Sequence, residues 1–263
     1  MQAAVGVVPS ISPSSTGRAA RTLALIKAEN WTALLAWELQ WTEAEPQNFS
    51  AWINLGHAYG NLKRYDSAIS AYRQAIRIDP GNADVWYFIG GTYKILERFE
   101  DAISAYRRAI RVDHGNADVW FSLAITYDAI KRFDDSINAY QQVLLINPKD
   151  TFSWLGLGII YSELERSSDA IAAYLQIVRI KPEDNTAWQS LGMIYASTEN
   201  YDAAIHAYRQ AIRINPDNPV AWEGLALTYA SLGNQAEARK LVKGLRRIAP
   251  ARASKLLKII STK

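Results

Sequence analysis

The sequence contains no cysteine, only three histidines and no long apolar run. Without cysteine the chain has no disulfide, no thiolate metal site and no cysteine nucleophile, and three dispersed histidines do not favour a zinc or iron site. No apolar segment approaches the length of about 18 residues that a membrane-spanning helix needs. The composition, 49% hydrophobic and 21% charged, is typical of a globular protein. We therefore expect a chain without a metal, a cofactor or catalytic residues.

The chain is dominated by an internal repeat of 34 residues. A tryptophan opens each unit and a tyrosine follows seven residues later, with a leucine or isoleucine and then a small residue between them. These aromatic residues are Trp52, Trp86, Trp120, Trp154, Trp188 and Trp222, and Tyr59, Tyr93, Tyr127, Tyr161, Tyr195 and Tyr229. Further small residues complete the unit, with a second tyrosine in five of the six units and a proline in five. Repeats of this length indicate supersecondary units that stack on one another.

Each unit predicts two helices. Trp52, Leu55 and Tyr59 are spaced as one face of a helix, and a second face with the same spacing begins at Ala68. The small residues Gly56 and Ala68 predict a close crossing of the two helices. An Asn or Asp precedes each first helix, where its side chain can accept hydrogen bonds from unpaired backbone amides. These residues are Asn48, Asn82, Asn116, Asp150, Asp184 and Asn218.

On these residues the chain resembles the tetratricopeptide repeat (TPR) family. The resemblance covers residues 49–250 as six repeats, at 49–82, 83–116, 117–150, 151–184, 185–218 and 219–250. It implies an all-α fold, an α-solenoid in which antiparallel helix pairs form a right-handed superhelix. We interpret residues 15–48 as a degenerate TPR-like repeat and residues 1–14 as a disordered N-terminal segment. Residues 251–263 are interpreted as a basic C-terminal capping helix.

The resemblance implies that the first helices line a concave face, chiefly through the second, fifth, ninth and twelfth positions of each repeat. Most side chains at the fifth and ninth positions are apolar, which predicts an apolar groove for a partner peptide or helix. The candidate partner-binding residues are Ile53, His57, Tyr87, Lys94, Phe121, Ile125, Asp128, Leu155, Ile159, Gln189 and Met193. The alternative is that some of them pack between neighbouring first helices or against the chain's own N-terminal segment.

Two ligand modes of the family do not match these positions. Chaperone-tail clamps use Lys, Arg and Asn at the fifth and ninth positions, where only His57 and, nearby, Lys94 could contribute here. Arms of the glycosyltransferase type use a ladder of Asn at the sixth position. That series reads Asn54, Phe88, Ser122, Gly156, Ser190 and Gly224.

Basic residues are concentrated at the C-terminus, although the net charge is only +3. Residues 239–263 hold nine basic residues and no acidic one, with candidate contacts at Arg246, Arg247, Arg252, Lys255 and Lys258. Such a tail can attract an anionic partner, but its interleaved apolar residues also suit a solubilising cap, which we favour. Arginines on the second helices predict a solvated outer face. They are Arg73, Arg77, Arg107, Arg111, Arg209 and Arg213.

We therefore predict a non-enzymatic scaffold or adaptor that binds a protein or peptide with apolar anchors. One alternative is docking through the basic C-terminal helix to an anionic surface, which would be a membrane, a nucleic acid or an acidic protein. Others are a regulatory arm beside a separate catalytic subunit and self-association into a homo-oligomer. No secretory signal is evident, so we expect a cytoplasmic protein, or a periplasmic or secreted one if a signal has been removed.

Overall fold

The computed structural model describes residues 15–261, with side chains from residue 17 to residue 260. Within that range every regular element is an α-helix, so the all-α prediction is confirmed for the described residues. The helices are α1 (Ser15–Lys27), α2 (Trp31–Ala44), α3 (Phe49–Asn61), α4 (Tyr65–Ile78), α5 (Ala83–Ile95), α6 (Phe99–Val112), α7 (Ala117–Ala129), α8 (Phe133–Ile146), α9 (Thr151–Glu163), α10 (Ser167–Ile180), α11 (Asn185–Ser197), α12 (Tyr201–Ile214), α13 (Pro219–Ser231), α14 (Gln235–Ile248) and α15 (Pro250–Ser261). The predicted disordered segment 1–14 lies outside the described residues.

The helices follow the repeats in pairs, each with a first helix and a second helix. α3 and α4 form the first regular pair and α13 and α14 the last, while α1 and α2 occupy the range interpreted as a degenerate repeat. Within each unit neighbouring helices pack together, both within a pair, as α3 on α4, and between pairs, as α4 on α5 and α10 on α11. The chain forms two compact units, which divide between Val119 and Trp120 inside α7.

Side-chain caps begin the first helices, as the sequence predicts. Asn48 Oδ1 accepts a hydrogen bond from the Ala51 amide at 3.2 Å. The equivalent bond is made by Asn82, Asn116, Asp150, Asp184 and Asn218. The preceding loop is held by the repeat tryptophan, because Trp52 Nε1 donates to the Pro46 carbonyl at 2.8 Å. Trp154, Trp188 and Trp222 make the same bond to Pro148, Pro182 and Pro216.

The turn between the two helices of a repeat places one residue in the left-handed backbone region. Its φ is 58° at Lys63 and 56° at Glu97, and the corresponding residue of the last repeat is Gly233 with φ 75°. Glu29, Lys131, Glu165 and Glu199 adopt the same conformation. A residue with a Cβ costs about 1–2 kcal/mol in this conformation, so glycine would be expected there. Because only the last repeat has glycine at this position, the glycines of the sequence do not reveal where these turns lie.

The close helix crossing is filled by the second tyrosine of the repeat where the first helix carries glycine, as at Gly56, Gly90, Gly158 and Gly192. Gly56 faces Tyr72 so closely that a Cβ at residue 56 would lie 2.8 Å from Tyr72 Cζ. Tyr208 contacts two first helices in this way, at Gly192 of its own repeat and at Gly224 of the next repeat. Small residues are therefore needed on both sides of the Tyr208 ring, whereas the sequence predicts them only where the two helices of one repeat cross.

The first helix pair is held to the regular repeats by a buried carboxylate. Glu38 is completely buried and accepts hydrogen bonds from Thr22 Oγ1 at 2.6 Å and from Arg18 Nη2 at 3.2 Å. Asn54 Nδ2 donates to the same carboxylate at 3.4 Å. The Arg18 guanidinium also lies over the Trp41 ring, 4.3 Å from its centre. This network ties α1, α2 and α3 together.

The last helix covers the apolar end of the final repeat. Ala253, Leu256 and Ile260 of α15 are buried in one cluster with residues of α13 and α14. Arg252 Nε lies 3.4 Å from Glu223 Oε1 on α13. The apolar stripe of this segment therefore faces the protein.

Candidate functional site

The first unit contains four candidate residues, all partly buried, namely Ile53, His57, Tyr87 and Lys94. His57 lies edge-on to the rings of Phe88 and Tyr72, with ring centres 4.7 and 5.8 Å away. Burial lowers the pKa of His57 from its ordinary value of 6.5, because an apolar environment disfavours the charged imidazole. His57 is therefore part of an aromatic cluster and is not a freely exposed polar contact.

Tyr87 belongs to the same aromatic cluster. Its ring centre lies 6.0 Å from that of Phe88 and 5.9 Å from that of Tyr106. Contacts within the first unit thus account for much of its burial, and only part of its ring remains available to a partner.

The second unit places five apolar candidates on successive first helices. We call them the inner stripe, which consists of Phe121, Ile125, Leu155, Ile159 and Met193. Phe121, Ile125 and Leu155 are partly buried, whereas Ile159 is 43% exposed and Met193 51% exposed. Within the inner stripe, exposure is therefore greatest at Ile159 of α9 and Met193 of α11.

Two further exposed apolar residues on the first helices extend this surface. Phe152 is 66% exposed and Leu227 37% exposed. Phe152 stands at the second position of its repeat, three residues before Leu155, so both lie on one face of α9. The family resemblance points to that position, yet Phe152 was not among the predicted residues. The available signal was a phenylalanine where the other repeats carry Ser50, Asp84, Asp118, Thr186 and Val220.

The polar candidates of the second unit are already engaged with the protein. Burial and, to a lesser degree, the charge of Glu163 raise the pKa of Asp128 above its ordinary value of 3.8. Gln189 Oε1 accepts a hydrogen bond from Asn218 Nδ2 at 2.7 Å. Because Asn218 also caps α13, this bond ties α11 to α13 and fixes the orientation of the Gln189 side chain.

The sixth position of the first helices serves packing. A Cβ at Gly156 would lie 2.6 Å from Tyr140 Cε2. The Tyr174 hydroxyl hydrogen-bonds Ser162 and Ser190, while burial raises its pKa above the ordinary value of 10.0. A tyrosine of one repeat thus abuts the sixth position of the next, and at Gly156 it leaves no room for an asparagine side chain.

The basic tail forms an exposed surface. Arg246, Arg247, Lys255 and Lys258 are exposed, and we call these four residues the C-terminal basic surface. Arg252, the fifth candidate of the tail, pairs with Glu223 on α13. It therefore helps to attach α15 to the last repeat.

From residue 15 to residue 261, no group of three or more His, Asp or Glu side chains is arranged to hold a metal ion. None of the helices in that range combines the length and the apolar character required to cross a membrane.

Comparison with known families agrees with the repeat pattern. Models described as "Tetratricopeptide repeat" match residues 49–82, 95–154 and 153–184, and one described as "TPR repeat" matches residues 192–233. Together they cover more than half of the chain. The chain belongs to the TPR family.

Solved structures show the same fold. The C-terminal part of a TPR repeat-containing protein from Cytophaga hutchinsonii superposes with a TM-score of 0.79 at 15% identity, over 90% of this chain and 98% of that one. YrrB, described as a TPR protein with an unusual peptide-binding site, has a TM-score of 0.60 at 21% identity, over 70% and 95% of the two chains. MamA has a TM-score of 0.57 at 25% identity, over 62% and 95%. A comparison with curated protein sequences found no match.

In this TPR protein, the accessibility of the candidate side chains indicates which of them can contact a partner. In each unit the structure leaves the fifth- and ninth-position side chains at least partly accessible, and the six repeat tryptophans are partly accessible as well. The predicted residues of the second unit can be tested directly for binding, because the side chains of Ile159 and Met193 lie more at the surface than in the core.

Proposed function

We propose that this TPR protein is a non-catalytic protein-interaction scaffold, and that its second unit binds an apolar segment of a partner at the inner stripe. The observation that carries the proposal is the exposure of Ile159 (43%), Met193 (51%) and Phe152 (66%) on adjacent repeats. Exposed apolar side chains that cluster on a protein surface usually belong to a binding site.

The chemistry of the stripe favours a partner with aliphatic or aromatic anchors. Met193 is flexible and adapts to different side chains, while Phe121 is held by the Tyr140 ring at 5.8 Å. The nearby carboxylates Asp128 and Glu163 would favour a polar or basic group beside those anchors. A relative described as having a peptide-binding site, YrrB, shares the fold and is consistent with this proposal.

Site-specific crosslinking tests the proposal. A photoreactive phenylalanine derivative is introduced at Met193 or Ile159, and crosslinked proteins are identified after irradiation in native lysate. The control is Val112, which is 45% exposed but lies at the end of the second helix α6. We expect one partner at both stripe positions and none of it at Val112. Equal labelling at all three positions would contradict the proposal.

The second candidate function is docking through the C-terminal basic surface. Its support is the density of charge, since α14 carries Arg239, Lys240, Lys243, Arg246 and Arg247 against a single acidic residue, Glu237. Salt distinguishes the two proposals. Binding through this surface should weaken steeply as salt is added, whereas binding to the inner stripe should change little.

A further inference from the structure

Arginines on the second helices do more than face solvent. Arg73 Nη2 donates a hydrogen bond to the Tyr93 hydroxyl at 2.8 Å, and Arg209 Nη2 donates to the Tyr229 hydroxyl at 2.6 Å. In both cases the arginine stands at the twenty-fifth position of one repeat and the tyrosine at the eleventh position of the next. A guanidinium bound to a tyrosine hydroxyl between successive repeats is thus a recurring feature of this chain.

Helix α8 departs from this pattern at two positions. Gln141 stands where Arg73 and Arg209 stand in their repeats, and Leu145 stands at the twenty-ninth position. The other five repeats carry arginine at the twenty-ninth position, as Arg77, Arg111, Arg179, Arg213 and Arg247. Leu145 is 74% exposed, so an apolar side chain replaces a cation on an exposed helix face.

A cleft of about 540 Å³ lies at this place, between α8, α9 and α10 of the second unit. Gln141 and Leu145 form one wall, Ala172 of α10 the other, and Trp154 and Tyr161 of α9 the floor. A second cleft, of about 520 Å³, has the equivalent position between α2, α3 and α4. There too the arginine position holds another residue, Leu39.

Tyr161 is the counterpart of Tyr93 and Tyr229. The Arg166 guanidinium lies over its ring at 4.6 Å, as Arg98 lies over Tyr93 at 4.6 Å. The local frame is therefore the same in both repeats. Within the described part of the chain, however, the Tyr161 hydroxyl makes no side-chain hydrogen bond, because Gln141 replaces the arginine that would donate to it.

The helices around the cleft are acidic, although two of their carboxylates, Asp135 and Asp169, pair with Arg132 and Arg166. Residues 133–180, which span α8 to α10, carry six acidic and three basic side chains. One of the acids, Asp169, lines the cleft and pairs with Arg166 at 2.7 Å. Leu145, which is 74% exposed, supplies apolar surface beside it, and this suits the aliphatic part of a long basic side chain.

We propose that this cleft is a second docking site, which takes an arginine side chain from a segment of a partner protein. The partner's guanidinium would donate to the Tyr161 hydroxyl, as Arg73 does to Tyr93, and its methylene groups would pack on Leu145. The site lies between the second helices α8 and α10, with α9 as its floor. It is away from the inner stripe and therefore goes beyond the proposed function. Variants of Ile159 or Met193 should leave it unchanged.

A peptide display experiment on the full chain tests the proposal. The library consists of twelve-residue peptides with arginine fixed at the centre, and a parallel library has glutamine there. We expect the protein to enrich arginine peptides with apolar neighbours. The best peptide should bind about tenfold more weakly when its arginine is replaced by citrulline, since hydrogen bonds from charged donors are the stronger ones.

Matched variants locate the binding site. Gln141→Arg and Leu145→Arg each restore the residue found in other repeats and should fold normally, so each should weaken binding by filling this cleft, while the equivalent cleft at Leu39 stays open. Asn138→Arg adds the same charge on α8 outside the cleft and should bind within about twofold of the parent, because one exposed charge changes affinity little. Equal binding by the parent and both filling variants would overturn the proposal. So would a dimer of the parent chain that Gln141→Arg dissociates, because the occupant would then be a second copy.

Discussion

Gly56 and Tyr72 are in such close contact that a methyl group on residue 56 would lie 2.8 Å from the Cζ atom of the ring. Gly60, one turn later in α3, has no atom within 4 Å of the place where its Cβ would be. We expect Gly56→Ala to lower the free energy of unfolding by about 1–3 kcal/mol through overpacking. Gly60→Ala should raise it by up to about 1 kcal/mol, because alanine favours helix. Urea unfolding followed by circular dichroism compares them, and equal effects would refute the packing argument.

Removal of the buried Glu38 carboxylate should be costly. Glu38→Ala leaves the Arg18 guanidinium, with a side chain only 11% exposed, without its main partner. Breaking a buried ion pair in this way costs about 3–5 kcal/mol. The control is Asp101→Ala, which breaks a pair with Arg98 that is about half exposed on both sides and should cost less than about 1 kcal/mol. Thermal melts that show similar losses for the two variants would contradict the burial of this network.

Exchanging glycine and another residue at the left-handed turn positions should change the free energy of unfolding in a predictable direction. Glu165, with φ 56°, is strained by its Cβ. Glu165→Gly should therefore raise the free energy of unfolding by up to about 1 kcal/mol, offset in part by the greater flexibility of the unfolded chain. Gly233→Ala, at φ 75°, should lower it by about 1 kcal/mol. Chemical denaturation of both variants checks the pair, and a stabilising Gly233→Ala would show that the turn conformation is wrong.

The lowered pKa of His57 predicts sensitivity to mild acid. Above the ordinary pKa of 6.5 the imidazole is neutral in both the folded and the unfolded chain, so it has no effect on the pH dependence of stability. As pH falls below 6.5 the unfolded chain binds the proton first, and the free energy of unfolding decreases until the folded pKa is passed. His57→Gln should flatten this part of the profile. An unchanged slope between pH 7 and pH 5, about the range in which histidine titrates, would contradict the burial of this ring.

Much of the fold could be predicted from sequence because the repeat specifies the same local structure six times. The caps at Asn48 and Asp150, the helix faces and the crossing at Gly56 each follow from one residue type at one position. The inner stripe was predicted by the same logic, since apolar residues recur where the core does not require them.

Contacts that depend on three-dimensional partners were not predictable. Nothing in the sequence pairs Arg18 with Glu38 across 20 residues of a degenerate repeat. The contact of Gly224 with Tyr208 of the preceding repeat appears only when repeats are stacked, and so does the bond from Arg209 to Tyr229. The role of Gln141 therefore depends on a comparison with Arg73 and Arg209, whose hydrogen bonds to tyrosine are not evident in the sequence.

The inner stripe offers a test in which binding and stability separate. Ile159 and Met193 are 43% and 51% exposed, so replacing both by serine should change the free energy of unfolding by less than about 1 kcal/mol, as surface substitutions generally do. Capture of the partner should nevertheless fall at least about tenfold, because apolar anchors contribute a large share of binding energy. The control variant replaces Val112 and Ile146, which are 45% and 44% exposed on second helices, and it should capture the partner normally. If the two double variants lose capture equally, or if neither loses it, the partner binds elsewhere, and the inner stripe is an exposed apolar surface without this function.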